Sequence, residues 1–384
     1  MALLAEYPTI SAVMDQIQKS HTSEVRGYAQ CSGLGAECAR QLQYQFWWTH
    51  PETFVASTLM NFDDGHRTED LINQRFMATP GIDLRPTGPD GRQWAVTSWS
   101  GHMRGHLDGL VLGLLEAPKT WHVYEVKCVS DARKRKLERL IEKEGEKEAL
   151  KEWSKVYYTQ AQLYMGLTKL KRHYLLCATA GGREMISVRT NFDKAFFEET
   201  LQKAHDVITA TELPPRISED PDFYLCRWCQ FNQLCHEKKT ARMNCRTCAH
   251  STAVLDPETH DTKDFGVWRC EFHNKKLSMK DQKKGCPKHL FKPDLIPWGQ
   301  VTAMDKEANT ITYQTDDGTD FKNVEHNNWK EREFTSRDLQ YLDADSLAND
   351  THYLHAMSDF TPGAEFTVSQ AVAEAEPFDD DIPF

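Results

Sequence analysis

Two hydrophobic periods alternate along the chain and divide it into helices and strands. Residues 1 to 30 read as a helical lead-in followed by a polar stretch, and CSGLGAECARQLQYQFWW, from Cys31, turns helical after its Gly and Ser residues. A helix is expected over 62–77. Gly and Pro punctuate 78–100, leaving short strand-like pieces such as QWAVTSW. Gly105 to Lys127, GHLDGLVLGLLEAPKTWHVYEVK, reads as two apolar strands joined by a Pro-containing turn. DARKRKLERLIEKEGEKEALKEW predicts a charged helical region interrupted near Gly145, VYYTQAQLYMGLTKL an amphipathic helix, HYLLCATA a core strand, and 192–210 another helix. Strands alternating with helices in this order predict an α/β domain with a mixed central sheet and helices on both sides.

The apolar hairpin carries Asp108, Glu125 and Lys127. Period-two geometry puts Glu125 and Lys127 on one face of the second strand. Burying such charges costs several kcal/mol per ion, roughly, unless they are paired or hold a metal. Two nearby carboxylates make a hard-oxygen site suited to Mg2+ or Mn2+, and a lysine beside them suits phosphate chemistry. Glu-x-Lys by itself also suits a half-exposed ion pair on an edge strand.

Asp108, then Glu125-x-Lys127 one hairpin later, then Gln160-x-x-x-Tyr164 on the following helix, resembles the PD-(D/E)XK nuclease superfamily, and within it the RecB-type exonucleases. The resemblance covers roughly residues 30 to 240 and implies a restriction-endonuclease-like fold. It implies that Asp108 and Glu125 are divalent-metal ligands, Lys127 the catalytic lysine, and Gln160 and Tyr164 the family's Gln-x-x-x-Tyr pair. In GHRTEDLINQRF, Glu69 falls where many RecB-type members place a histidine ligand. The third ligand is therefore Glu69 or its neighbour His66.

Eleven cysteines are many for a reducing compartment, and seven fall between Cys226 and Cys286. Cys226-x2-Cys229-x5-Cys235 needs one more thiolate to complete a four-thiolate site, with Cys38 the natural fourth and Cys31 an alternative. One N-terminal cysteine, the core, and then this triplet is similar to the iron-sulfur subset of RecB-type nucleases, including the CRISPR-associated member and AddB-type subunits. The resemblance implies a 4Fe-4S cluster fastening the two ends of the domain together; zinc in the same thiolates is the alternative. Cys128 and Cys177 are expected to be packing residues. Cys245-x2-Cys248, Cys270 and Cys286 suit tetrahedral Zn2+ in a ribbon-like module. Its lysines 275, 276, 280, 283, 284 and 288 face either DNA or water.

The total charge of −11 misleads, because residues 301–384 hold nineteen acidic and five basic residues, a balance of −14 that leaves the rest mildly basic. Arg133, Lys134, Arg135, Lys136 and Arg139 cluster after the hairpin, either as a solvated helix face or as a grip on the DNA backbone. QVTAMDKEANTITYQTDDGTDF predicts a β-hairpin with an Asp-Gly turn, and 361–377 a disordered linker. The chain then ends EPFDDDIPF, which closely resembles the C-terminal tip of bacterial single-stranded-DNA-binding protein. That resemblance implies that Phe384 enters an apolar pocket, with Asp379, Asp380 and Asp381 steering and Ile382 and Pro383 completing the tip, so that proteins reading that tip are partners.

The expected organisation is a lead-in (1–30), a nuclease domain with an iron-sulfur cluster (31–240), a zinc module (241–292), an acidic β-containing appendage (293–360), and a linker with its tip (361–384). No run of eighteen apolar residues and no cleavage signature occurs, so a cytoplasmic protein without membrane spans is expected. The resemblances imply a metal-dependent DNA exonuclease acting at DNA ends in recombination or repair, of phage or mobile-element origin. Two alternatives are compatible with the same motifs: a silent nuclease fold that inhibits by mimicking the tip, and a CRISPR-type precursor-processing nuclease.

Overall fold

The structure is a computed structural model that describes residues 7–22, 25–51, 53–256, 265–343 and Leu347. The chain opens with α1 (Pro8–Ser20), β1 (Ala29–Gln30), α2 (Ala39–Phe46) and α3 (Ala56–Met77), followed by β2 (Asp83–Arg85), β3 (Ala95–Ser98), β4 (Met103–His106), β5 (Gly109–Leu112) and β6 (His122–Cys128). Three helices then cross over: α4 (Asp131–Glu144), α5 (Glu146–Trp153) and α6 (Lys155–Thr168). Gly145 separates α4 from α5 at φ +82°, a conformation that favours glycine, as the sequence predicts. β7 (Arg172–Ala178), β8 (Met185–Asn191) and α7 (Lys194–Thr209) complete the body.

The central sheet has five strands in the order β2-β5-β6-β7-β8. Only β6 and β7 run parallel, and a parallel pair requires a crossover of the kind α4 to α6 supply. The sheet is mixed and flanked by helices, as expected. Alternation along β6 divides the core in two. Tyr124 and Val126 pack with Tyr174, Leu176 and Ile72 of α3. Val123 packs with Leu175, Cys177 and the α6 residues Leu163 and Tyr164. A second sheet, ordered β1-β4-β3, leads directly into Asp108.

Beyond α8 (Asn232–His236), strands β9 (Ser251–Val254), β10 (Val267–Cys270) and β11 (Lys275–Leu277) form an antiparallel sheet followed by α9 (Met279–Lys284). Then come β12 (Gln300–Asp305), β13 (Thr310–Gln314), β14 (Asp320–Asn323), β15 (Glu333–Phe334) and α10 (Ser336–Leu339). The expected hairpin is a larger, four-stranded sheet in the order β12-β13-β14-β15. The third strand arises because the segment holds two turns, and β15 adds a fourth from farther along the chain, parallel to β14. Asp305 Oδ1 accepts from the N–H groups of Glu307 and Ala308 at 2.9 Å each, and Gly318 at φ +85° makes the second turn.

Arg246 ties the cysteine-rich segment to the body. Fully buried, it donates to the carbonyls of Phe46 (3.0 Å) and Gly27 (2.9 Å) and to Gln282 Oε1 (3.0 Å). Its guanidinium lies 3.8 Å from the Trp48 ring centre and 4.8 Å from that of Trp268. No helix among the described residues is long and apolar enough to cross a membrane.

Candidate active site

Glu125 sits mid-strand on β6, only 3% exposed, facing α6. Its Oε1 accepts from Gln160 Nε2 at 2.9 Å and pairs with Lys127 Nζ, while Oε2 is buried without a partner among the described residues. An orphaned carboxylate oxygen in such a place is costly unless something fills its coordination. Asp108 stands at the mouth of β5, where its Oδ2 accepts from Val126 N–H at 2.9 Å. Gln160 and Tyr164 are one helical turn apart on α6, joined at 3.1 Å, and Tyr164 Oη donates to the His106 carbonyl at 2.7 Å. The structure thus brings Asp108, Glu125, Lys127, Gln160 and Tyr164 together.

Glu69 belongs with them. Burial and the Asp108 carboxylate push its pKa up to about 7, and Lys127 works against that. Glu125 is raised by burial and then by Asp108, with Lys127 opposing. Asp108 is raised by burial, against Lys127, the Val126 N–H and His66. Three carboxylates thus crowd one lysine. Burial disfavours the charge of Lys127, but Glu125 and Asp108 outweigh it and raise its pKa. His66, exposed one turn before Glu69, also acts on Asp108.

The donor chemistry fits a divalent cation: hard oxygens, an excess of negative charge and one orphaned lone-pair site. As it stands, no group of three or more His, Cys, Asp or Glu side chains among the described residues is arranged to hold a metal ion.

Cys38 is brought to the distant triplet. It lines one cavity with Cys226, Cys229 and Cys235, and the charge of its thiolate acts on Cys226 and Cys229. Long-range bonds hold the two ends together: Arg40 Nε donates to the Pro214 carbonyl (2.7 Å), and Lys203 Nζ to the carbonyls of Leu34 (3.0 Å) and Ala36 (2.5 Å). Four thiols lining one cavity suit a four-thiolate group in donor type. Cys31 lies elsewhere, wholly buried against Gly105, with its pKa pushed up to about 12 by burial. Cys177 is fully buried in the core; Cys128, half-buried, accepts from Thr68 Oγ1 at 3.6 Å.

Cys245, Cys248, Cys270 and Cys286 line a separate cavity of about 360 Å3 together with His250, His273 and Lys275. Backbone N–H groups already point at these sulfurs: His250 and Leu290 at Cys248, Lys288 at Cys286, Gly285 at Cys245 and His273 at Cys270, the last at 3.4 Å. Burial raises the pKa of Cys245, Cys248 and Cys286, and these donors work against it, toward the thiolate form that zinc requires, so the residues fit Zn2+ in donor type and in surrounding hydrogen bonds. Of the basic residues after the hairpin, Lys134 turns inward to Glu138 (2.5 Å) and Glu184 (3.1 Å), which removes it from the exposed cluster. Asp379 to Phe384 lie outside the described residues.

Sequence reasoning missed Trp153 and Tyr157. Tyr157 lies three residues before Gln160, on the same face of α6, with its ring centre 5.5 Å from Lys127 Nζ. That spacing was the available signal.

No family model matches the chain, and no curated protein matches it in sequence. Among solved structures, the alkaline exonuclease LHK-Exo from Laribacter hongkongensis is similar at 14% identity over 50% of this chain and 90% of its own, with a TM-score of 0.34. The structure of LHK-Exo in complex with dAMP is similar at 15% identity over 47% and 86%, TM-score 0.33. A phage-related exonuclease from Haemophilus somnus 129PT is similar at 12% identity over 50% and 94%, TM-score 0.33. Superpositions this loose establish no activity for this chain.

Proposed function

We propose that the protein is a divalent-metal-dependent DNA exonuclease that hydrolyses phosphodiester bonds at DNA ends. The single observation that carries this reading is the state of Glu125. Its Oε1 is fixed by Lys127 and Gln160, while its Oε2 is buried and unpaired beside Asp108 and Glu69. Mg2+ or Mn2+, when bound, would supply the Lewis acidity that activates water and stabilises phosphoryl charge. Glu125, Asp108 and Glu69 would hold it. Lys127 keeps its proton and offers positive charge to the phosphate oxygens. Gln160 fixes the rotamer of Glu125, and Tyr164 fixes Gln160.

In the same reading, Cys38, Cys226, Cys229 and Cys235 bind a 4Fe-4S cluster that fastens the two ends of the nuclease domain, and Cys245, Cys248, Cys270 and Cys286 bind Zn2+. The tip from Asp379 to Phe384 recruits proteins that read the end of single-stranded-DNA-binding protein, which suits a phage or mobile-element protein working in a host cytoplasm during recombination or repair.

The test incubates the protein and Glu125→Ala with Mg2+ or Mn2+ and end-labelled linear, circular and single-stranded DNA. Degradation of linear DNA by the native protein alone is expected. Intact DNA with both proteins overturns the nuclease reading. A brown preparation from anaerobic purification is expected for the cluster, and a colourless one containing only zinc rejects it.

A further inference from the structure

We propose that Arg133 binds a backbone phosphate of the DNA next to the scissile one; the proposal rests on the nuclease reading of the same site.

Ser130, three positions beyond Lys127, caps α4 by accepting from Arg133 N–H, so the first turn of α4 rises beside the catalytic lysine. Trp153 and Tyr157, on the end of α5 and the start of α6, orient the arginine. Its guanidinium carbon lies 4.8 Å from the Trp153 ring centre and 5.5 Å from that of Tyr157. Trp153 Nε1 also donates to the Arg133 carbonyl at 3.0 Å, fixing the root of the side chain. Tyr157 serves both cations, since its ring centre is also 5.5 Å from Lys127 Nζ.

Arg133 is exposed, and among the described residues its guanidinium donates no hydrogen bond and forms no ion pair. Its neighbour Lys134, by contrast, is spent on two glutamates. An aromatic shelf holds a flat guanidinium at small entropic cost and leaves its hydrogen-bonding fork open, which is the geometry that grips a phosphate with two bonds. Arg133 therefore presents an uncommitted positive charge on the same aromatic shelf that carries Lys127. Two cations sharing one ring lie within reach of neighbouring phosphates on one strand.

The experiment places a neutral methylphosphonate linkage at one position at a time along an end-labelled oligonucleotide. Binding of the full-length protein, Arg133→Ala and Arg133→Lys is followed by fluorescence anisotropy in EDTA, where metal-dependent cleavage is absent. Arg133→Ala is expected to weaken binding of the unmodified oligonucleotide roughly tenfold, as loss of a charge-assisted contact does. Its salt slope should fall by about one. One methylphosphonate position should weaken the native protein by a similar factor and leave Arg133→Ala unchanged, because the two changes remove the same contact. Arg133→Lys should fall between, and thermal melting of both variants checks their folding.

Additive losses at every position, equal binding by Arg133→Ala, or no binding by the native protein overturn the proposal. Cleavage in Mg2+ is scored separately. A protein that cleaves but shows only additive losses loses the phosphate site alone. One that shows the shared loss but cleaves nothing loses the nuclease reading alone.

Discussion

Tyr164 Oη donates to the carbonyl oxygen of His106 at 2.7 Å, so the helix that supports Glu125 is pinned to the strand that delivers Asp108. The contact exists because Gly105 has no side chain. A Cβ there would stand 2.4 Å from the Tyr164 ring and 2.9 Å from Cys31. Gly105→Ala is expected to cost about 1–3 kcal/mol of stability through overpacking and to slow cleavage by displacing Tyr164. Urea denaturation alongside a cleavage assay checks both; native stability with native rate would show that the pin does not matter.

Gln160→Ala removes the neutral donor from Glu125 Oε1 and leaves only Lys127 to fix that carboxylate. A hydrogen bond to a charged group contributes about 1.5–3 kcal/mol, so kcat should fall roughly ten- to a hundredfold. KM should stay near the native value, since Gln160 orients a ligand of the site and does not hold DNA. A change confined to KM would contradict that role.

Acid should destabilise the fold through two buried histidines. Burial, followed by the Arg246 charge, lowers the pKa of His102 to about 4. Burial, followed by Lys127 and His122, lowers that of His173 to about 3. Unfolded histidine titrates near ~6.5, so between that pH and the folded values the unfolded chain binds more protons. Stability is full above about pH 6.5 and falls as pH drops toward 4, by on the order of 3 kcal/mol per histidine. His173→Gln, melted across this range, should show a shallower loss; an unchanged slope would point to other groups.

Arg246→Met should be strongly destabilising, by roughly 3–5 kcal/mol, because it leaves the Phe46 and Gly27 carbonyls without their buried donor. The same variant should lose zinc more readily to a chelator, since the Cys245–Cys248 turn is held through this side chain. Zinc content by atomic absorption after chelator challenge, beside Cys245→Ser plus Cys248→Ser, checks the link.

Deleting Phe384 should abolish binding to a protein that reads the single-strand-binding tip and leave cleavage of linear DNA intact. Calorimetry with such a protein decides it. Equal binding by the shortened chain would make the acidic end a solubiliser.

The sequence by itself determined the layered α/β order and the grouping of the acidic residues. Period-two alternation fixes which face of β6 carries Glu125 and Lys127, and a four-residue helical spacing fixes Gln160 over Tyr164; both are local rules of backbone geometry. The break at Gly145 was legible for the same reason. The tertiary structure alone decided what depends on distant segments meeting. Cys38 rather than Cys31 faces the triplet because Arg40 and Lys203 tie their loop to the C-terminal end of the domain. Lys134 leaves the basic cluster because Glu184, fifty residues on, turns it inward. The orphaned oxygen of Glu125, the aromatic shelf under Arg133 and the burial of Arg246 likewise depend on packing across the fold. No periodicity encodes them, because desolvation is set by whatever the rest of the chain places around a group.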